Sequence, residues 1–226
     1  PVKGITLEQT VPFAQALAQQ VGQRLQIPVY LYEANATAPA RKDLAVIRRG
    51  EYENLPEKLR TLPPDYGPQT FSPSVARSGA SVIGARNFLI AFNISLNTQE
   101  VNIAQKIAAK LREKNGGLPG VKAIGWYLEN YRCAQVSCNI TNFHQSNLHD
   151  VFEACKKYAG SYGAAVSASE LIGMIPQAAL MQAGQFYAPH ETDETVLMNI
   201  AADKLLLHKI RPFNVNEQVL EKALEI

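Results

Sequence analysis

Gly79-Ala-Ser-Val-Ile-Gly-Ala-Arg-Asn-Phe-Leu-Ile-Ala-Phe-Asn-Ile-Ser-Leu96 is the stretch from which the fold can be read. A glycine-punctuated loop runs straight into a strand of strict two-residue alternation. Phe88, Ile90, Phe92, Ile94 and Leu96 share one face, and Leu89, Ala91, Asn93 and Ser95 share the other. The first face is apolar throughout, and the second turns polar partway along. A strand of this kind buries one face in a core and can offer small polar groups as the wall of a cleft. Alternation alone favours the plainer reading, in which Asn93 and Ser95 meet water.

Toward the C-terminus the elements are regular. Asn97 and Glu100 stand at capping-box spacing, and Ile103, Ala104, Ile107, Ala108 and Leu111 then stripe a helix that stops at Gly116-Gly117. Strands from Val121 to Leu128 and from Ala134 to Thr141, with a tight turn around Asn130, read as a hairpin. In the second of these, Ala134, Val136, Cys138 and Ile140 alternate with Gln135, Ser137 and Asn139. A helix opening near Ser146 or Asn147 carries Leu148, Val151, Phe152, Cys155 and Ala159 on one side and ends at Gly160. A strand from Ala164 to Ile172 follows, then a helix opened by Pro176 and a last one from about Asp193 to His208.

The order from Phe88 is therefore β-α-β-β-α-β with extra helices, the split βαβ arrangement of a ferredoxin-like sheet, and the fold class is α+β. With both helices on one side, the open face collects Asn93, Ser95, Gln135, Ser137 and Asn139. Register decides whether Ser167 and Ser169 or Glu170 joins them. Neutral amides and hydroxyls suit a heteroaromatic ring that carries amide groups and suit phosphate poorly.

Toward the N-terminus the pattern is that of a partial second α/β subdomain, and the expected division is residues 1 to 87 and 88 to 226. Thr6 is the expected N-cap of a helix from about Leu7 to Leu25, with Phe13, Leu17, Val21 and Leu25 at helical spacing. Pro28 introduces a short strand from Val29 to Tyr32. Residues 33 to 61 hold two helical turns ending at Gly50 and a short helix from Leu55 to Thr61. Then comes Leu62-Pro-Pro-Asp-Tyr-Gly-Pro-Gln-Thr-Phe-Ser-Pro-Ser-Val-Ala-Arg-Ser-Gly79, with four prolines and two glycines. A connection this long is either functional or a linker. Its Asp65, Tyr66, Phe71 and Arg77 suit packing against a flat aromatic ligand. Pro68 and Pro73 lack backbone donors and leave the segment few hydrogen bonds of its own.

Composition narrows the function classes. The 226 residues carry 22 basic and 20 acidic side chains, a net charge of +2, so neither a nucleic-acid partner nor a membrane surface is indicated. Three cysteines, Cys133, Cys138 and Cys155, lack CxxC spacing and support neither a disulfide framework nor a metal site. Cys138 and Cys155 continue apolar faces and read as core thiols in a reducing cytoplasm. No window approaches ~18 consecutive apolar residues, and residues 1 to 10 lack the pattern of a signal peptide. Pro1-Val-Lys-Gly-Ile-Thr6 reads like the end of a strand and a turn, so the chain is expected to be the later part of a longer polypeptide.

Catalytic constellations are scarce. His144 and His149 are five apart across a helix start, the wrong spacing for two ligands on one face, and read as exposed, as do His190 and His208. Arg41-Lys42 and Arg48-Arg49 either meet a carboxylate or form a solvated helix face. No phosphate loop, nucleophile elbow or HExxH run is present.

Seven motifs nevertheless occur in a fixed order: Pro-Val-Tyr-Leu-Tyr (28 to 32), Arg-x-Gly-Glu-Tyr-Glu-x-Leu-Pro (48 to 56), Asp-Tyr-Gly-Pro (65 to 68), Gly-Ala-Arg-Asn-Phe-Leu-Ile-Ala-Phe-Asn (84 to 93), Ile-Gly-Trp-Tyr-Leu (124 to 128), Ala-Gln-Val-Ser-Cys-Asn (134 to 139) and Ser-Glu-Leu-Ile-Gly-Met-Ile-Pro (169 to 176). In these the chain resembles the glutamate formiminotransferase family, which also forms the front of formiminotransferase-cyclodeaminases. The resemblance implies a two-part cytoplasmic enzyme and homodimer of histidine and one-carbon metabolism, with a reduced folate held between open sheet faces. It implies transfer of a formimino group from N-formimino-L-glutamate to tetrahydrofolate, the co-substrate, with no metal. The family's folate loop matches Gly67, Pro68, Gln69, Thr70, Phe71, Ser72, Pro73, Ser74, Val75 and Ala76, and Asn93, Gln135 and Asn139 are the expected contacts on the open face.

Two departures qualify this. Residues 75 to 77 differ from the usual loop. The family's catalytic histidine lies in a His-Pro-Arg-Met-Gly run just before the stretch that Pro1 matches, and no histidine here falls at a matching position. No catalytic residue is therefore carried over, and the segment bearing that run is an expected partner. The competing reading is a folate-binding or partner-binding module without catalysis, because moving the proton needs a base.

Overall fold

Strict alternation at the centre of the chain produces the expected buried strand. The computed structural model describes residues 4–225, so the strand end expected at residues 1 to 3 lies outside the described residues. Its contacts separate into one unit ending at Asn87 and another opening at Phe88.

In the first unit, α1 (Leu7–Arg24) starts at a capping box in which Thr6 accepts from the Gln9 amide and Gln9 accepts from that of Thr6. Ala18 and Val21 of this helix pack on β1 (Val29–Leu31), whereas Phe13, Leu17 and Leu25 are exposed. Beyond β1 come α2 (Leu44–Ile47) and α3 (Leu55–Thr61), followed by α4 (Pro73–Ser78). The chain then returns as β2 (Ser81–Ile83), which pairs parallel to β1. Two expectations are corrected here. The proline-rich stretch is not free of structure, because the Ser72 hydroxyl accepts from the Val75 amide and Pro73 supplies the fixed φ of a first helical residue. Residues 81 to 83 form a strand that the sequence hid, since three residues between glycines are too few to show alternation.

In the second unit, β3 (Ile90–Leu96) leads into α5 (Val101–Leu111), β4 (Val121–Leu128), β5 (Cys133–Ile140), α6 (Leu148–Ser161) and β6 (Val166–Ile172). The antiparallel sheet has the order β4-β5-β3-β6 expected of the split βαβ arrangement. Then come α7 (Gln177–Tyr187) and α8 (Glu194–Lys204), with the short turns α9 (Val215–Gln218) and α10 (Leu220–Ala223) beyond the last helix that the sequence indicated.

Ile90, Phe92, Ile94 and Leu96 meet the apolar sides of α5 to α8 in one continuous core. Cys138 and Cys155 lie inside it, and burial pushes the Cys138 thiol up to about 12. Helix α5 crosses β4 at Gly125, where a Cβ would stand 2.2 Å from the Gln105 nitrogen. The cap expected at Asn97 is corrected: Glu100 precedes α5 without a side-chain cap. The Asn97 carboxamide instead accepts from the Ala165 amide just ahead of β6. Among the described residues no helix is long and apolar enough to cross a membrane.

Candidate functional site

The polar face of the second sheet is built by register. Asn93 stands opposite Ser137 and Glu170, and Ser95 opposite Gln135 and Ala168. The same register puts Ser169 opposite Ile94, on the core face, where its hydroxyl donates to the Leu205 carbonyl. Glu170 is therefore the residue of β6 that joins the polar row.

These groups do not simply meet water. Gln135 is 0% exposed, and Asn93, Ser95 and Glu170 are all buried. The Gln135 carboxamide accepts from the Trp126 indole at 2.9 Å and donates to Ser95 Oγ at 3.1 Å and to Glu170 Oε1 at 3.3 Å. Asn93 donates more weakly to the same Oε1 at 3.5 Å. A buried carboxylate thus rests on two neutral amides, and among the described residues no cation pairs with it. Asn139, four residues along β5 and exposed, takes no part in this network. Sequence reading offered Trp126 only as part of a motif. Its alternation with Ile124 on β4 could have placed it beside Gln135, its partner in the hairpin.

The proline-rich stretch of the first unit is held at both ends. The Val29 amide donates to the Tyr66 carbonyl at 2.9 Å, and Asp65 accepts from the Leu31 amide at 2.8 Å, Thr37 Oγ1 at 2.9 Å and Arg41 Nη1 at 2.7 Å. Arg41 thus meets a carboxylate of its own chain. The Asp65 carboxylate and the Tyr66 backbone therefore hold the loop in place. Gly67 has φ of +84°, and a Cβ there would stand 2.3 Å from the Ile27 carbonyl oxygen, so its identity is a backbone requirement.

At the far end, Val75 is buried with Leu55 and Leu59, which leaves only its backbone to a ligand. The Tyr52 hydroxyl donates to the Ala76 carbonyl at 2.6 Å. Between these anchors Gln69, Thr70, Phe71, Pro73 and Ser74 are exposed, with Pro68 and Ser72 half-buried. The structure therefore brings the loop residues together as one displayed edge.

Beside α4 the first unit holds a cleft of about 260 Å³, lined by Tyr30, Ile47, Arg48, Tyr52, Lys58 and Gly79 among others. Burial pushes the Tyr30 phenol up to about 12, with Arg41 opposing and Asp65 reinforcing the shift.

His144, His190 and His208 are exposed as expected, but His149 is not. Its ring stacks on Phe186 with centroids 4.5 Å apart, and burial lowers its pKa against the pull of Asp150 and Glu153. Among the described residues no group of three His, Cys, Asp or Glu side chains could hold a metal ion.

A split βαβ sheet with helices on one side and a polar row of amides, hydroxyls and one carboxylate on the other, preceded by an anchored proline-rich loop, defines an α+β protein with two candidate binding surfaces. Residues 91–225 match the family model described as the formiminotransferase domain, and residues 1–86 match that of its N-terminal subdomain. The chain belongs to the formiminotransferase family. It is 42% identical over 98% of its length to formimidoyltransferase-cyclodeaminase of Mus musculus, of which the match covers 42%. Glutamate formimidoyltransferases of Streptococcus pyogenes and Thermoplasma acidophilum are 41% and 39% identical over 83% of the chain, each covered to 62%. The chain thus spans less than two thirds of the length of these relatives.

Proposed function

We propose that this chain takes part in the folate-dependent transfer of a formimino group from N-formimino-L-glutamate to tetrahydrofolate, giving 5-formiminotetrahydrofolate and L-glutamate. In that reaction a folate ring nitrogen bonds to the amidine carbon, the bond from that carbon to the glutamate nitrogen breaks, and the proton released by the ring nitrogen is taken up by the departing amine. The division into residues 1 to 87 and 88 to 226 serves this function, the first part carrying the folate loop. The protein works in the cytoplasm as a homodimer, in histidine degradation.

The observation that carries the reading is the displayed edge from Gln69 to Ser74. It is pinned at Tyr66 and Val75 by backbone and core contacts, so ordering it on a ligand costs little further entropy. Phe71 offers a ring face to the pterin or benzoyl group, and the free amides and hydroxyls of Gln69, Thr70 and Ser74 offer neutral partners. In the other unit, Asn93 and Gln135 with Glu170 form a buried network without positive charge that backs a second candidate surface, and Asn139 lies at its exposed end.

Fluorescence titration of residues 1 to 226 with a reduced folate tests this. Phe71→Ala should weaken binding about 10-fold, because losing an aromatic contact and its apolar area is worth about 1 to 2 kcal/mol. Unchanged affinity would remove the loop from the site. Folate binding without formimino transfer, when the chain is assayed alone and together with a segment bearing the His-Pro-Arg-Met-Gly run, would favour a binding module over an enzyme.

A further inference from the structure

The cleft beside α4 contains two polar groups that the fold itself leaves without partners. Tyr30 is 1% exposed, and its hydroxyl is buried with no hydrogen-bond partner. Lys58 is 9% exposed, and among the described residues no hydrogen bond or ion pair holds its ammonium. Arg48 and Glu51 on the same cleft neutralise each other at 3.0 Å, which leaves Lys58 as the uncompensated charge. Its pKa is lowered by burial above all, with Glu51 opposing that and Arg48 adding to it. Burying the Tyr30 hydroxyl without a partner is costly, and the neighbouring wall of Ile47, Leu55 and Val82 offers neither it nor the Lys58 ammonium a polar group.

We propose that this cleft is a carboxylate site that takes a glutamyl group, with Lys58 facing the carboxylate, the Tyr30 hydroxyl donating to it and the apolar wall lying along the methylenes. The choice of a glutamyl group rests on the formiminotransferase reading, since both substrates of that reaction carry one. The amino-acid substrate and the glutamate tail of the folate present the same chemistry. Tyr52 and Gly79 connect the cleft to α4, which puts it next to the displayed loop edge inside the same unit.

The test is calorimetric titration of residues 1 to 226, as wild type, Tyr30→Phe and Lys58→Met, with L-glutamate and with tetrahydrofolates bearing one and five glutamates. Wild type should bind at least one of these glutamyl compounds, and each variant should bind it about 10-fold more weakly. Tyr30→Phe should keep or raise the melting temperature, because it removes an unpartnered buried hydroxyl, so weakened binding there cannot be a folding defect. A deficit confined to L-glutamate assigns the cleft to the amino-acid substrate, and one confined to the longer folate assigns it to the tail. Both outcomes support the site. Equal affinity in all three proteins, or no binding of any glutamyl compound by wild type, overturns it. Failure of the formiminotransferase reading is seen separately, as L-glutamate binding that responds to both variants while tetrahydrofolate does not bind.

Discussion

At their candidate sites the two units treat buried polar groups in opposite ways. In the second, Gln135 is sealed from solvent, yet its carboxamide is used in both directions, and its partners Trp126, Ser95 and Glu170 come from three other strands. In the first, the buried Tyr30 hydroxyl beside a cleft is left without a hydrogen-bond partner. The cores differ in the same sense. Among the described residues the second unit has one continuous cluster, whereas the first has two small ones, around Ala18, Val29 and Leu31 and around Leu55, Leu59 and Val75. A satisfied network rigidifies its sheet, and an unsatisfied one asks for a ligand.

The largest effect expected from this contrast is in the cores. Phe92→Ala, at the centre of the continuous cluster, should cost about 3 to 5 kcal/mol, and Leu59→Ala, in a small cluster that can relax, about 2 kcal/mol. Urea unfolding measures both. Equal losses would mean that the small clusters are as cooperative as the large one. Next comes Asp65→Ala, which strands Arg41 in a largely buried pair and frees the Leu31 amide and Thr37. A loss of about 3 kcal/mol is expected.

Gln135→Leu should cost about 1 to 3 kcal/mol, because the Trp126 indole and Glu170 lose their partner while the shape is kept. A neutral or stabilising result would show that this network is not a stabilising device and would place it with the groups that wait for a ligand. Ser72→Ala, which removes one cap from a six-residue helix, should cost about 0.5 to 1 kcal/mol and loosen the displayed edge. Faster hydrogen exchange at Val75 and Ala76 reads this out.

Legibility in the sequence followed the length of each periodic signal. Seven residues of alternation at Ile90–Leu96 and the stripe on α6 were enough to give the sheet, its order and the side its helices take. The three residues of β2 were invisible, because their partner β1 lies some fifty residues earlier and parallel pairing leaves no turn signature. The polar row was visible as residue types, but its burial was not. Water and a neighbouring carboxylate look alike to Asn93 until register brings Glu170 opposite it. Of the loop, sequence showed composition, while its anchors at Asp65, Tyr66 and Val75 depend on contacts with β1 and α3 that spacing does not encode.

The smallest effect concerns a ring nitrogen that, with Arg112 Nε, is left without a partner among the described residues of the second unit. Nδ1 of His149 is buried without a partner, its ring lies on Phe186, and Nε2 stands 3.5 Å from Asp150 Oδ1. The other titratable groups near it are Glu153 and, through the bond of its hydroxyl to Glu153, Tyr187. Burial lowers the pKa of His149 below its ordinary value of 6.5 and outweighs both acids. In the window between the lowered folded value and 6.5, the unfolded chain therefore binds a proton that the folded chain refuses. Stability must then rise with pH through that window and fall on acidification, until pH drops below the folded value. Equilibrium unfolding between about pH 5 and 7.5 should show a shallower acid loss for His149→Gln than for wild type, the carboxylates being common to both. A steeper loss in the variant would mean that Asp150 holds the ring protonated in the folded state and that the second unit satisfies this histidine after all.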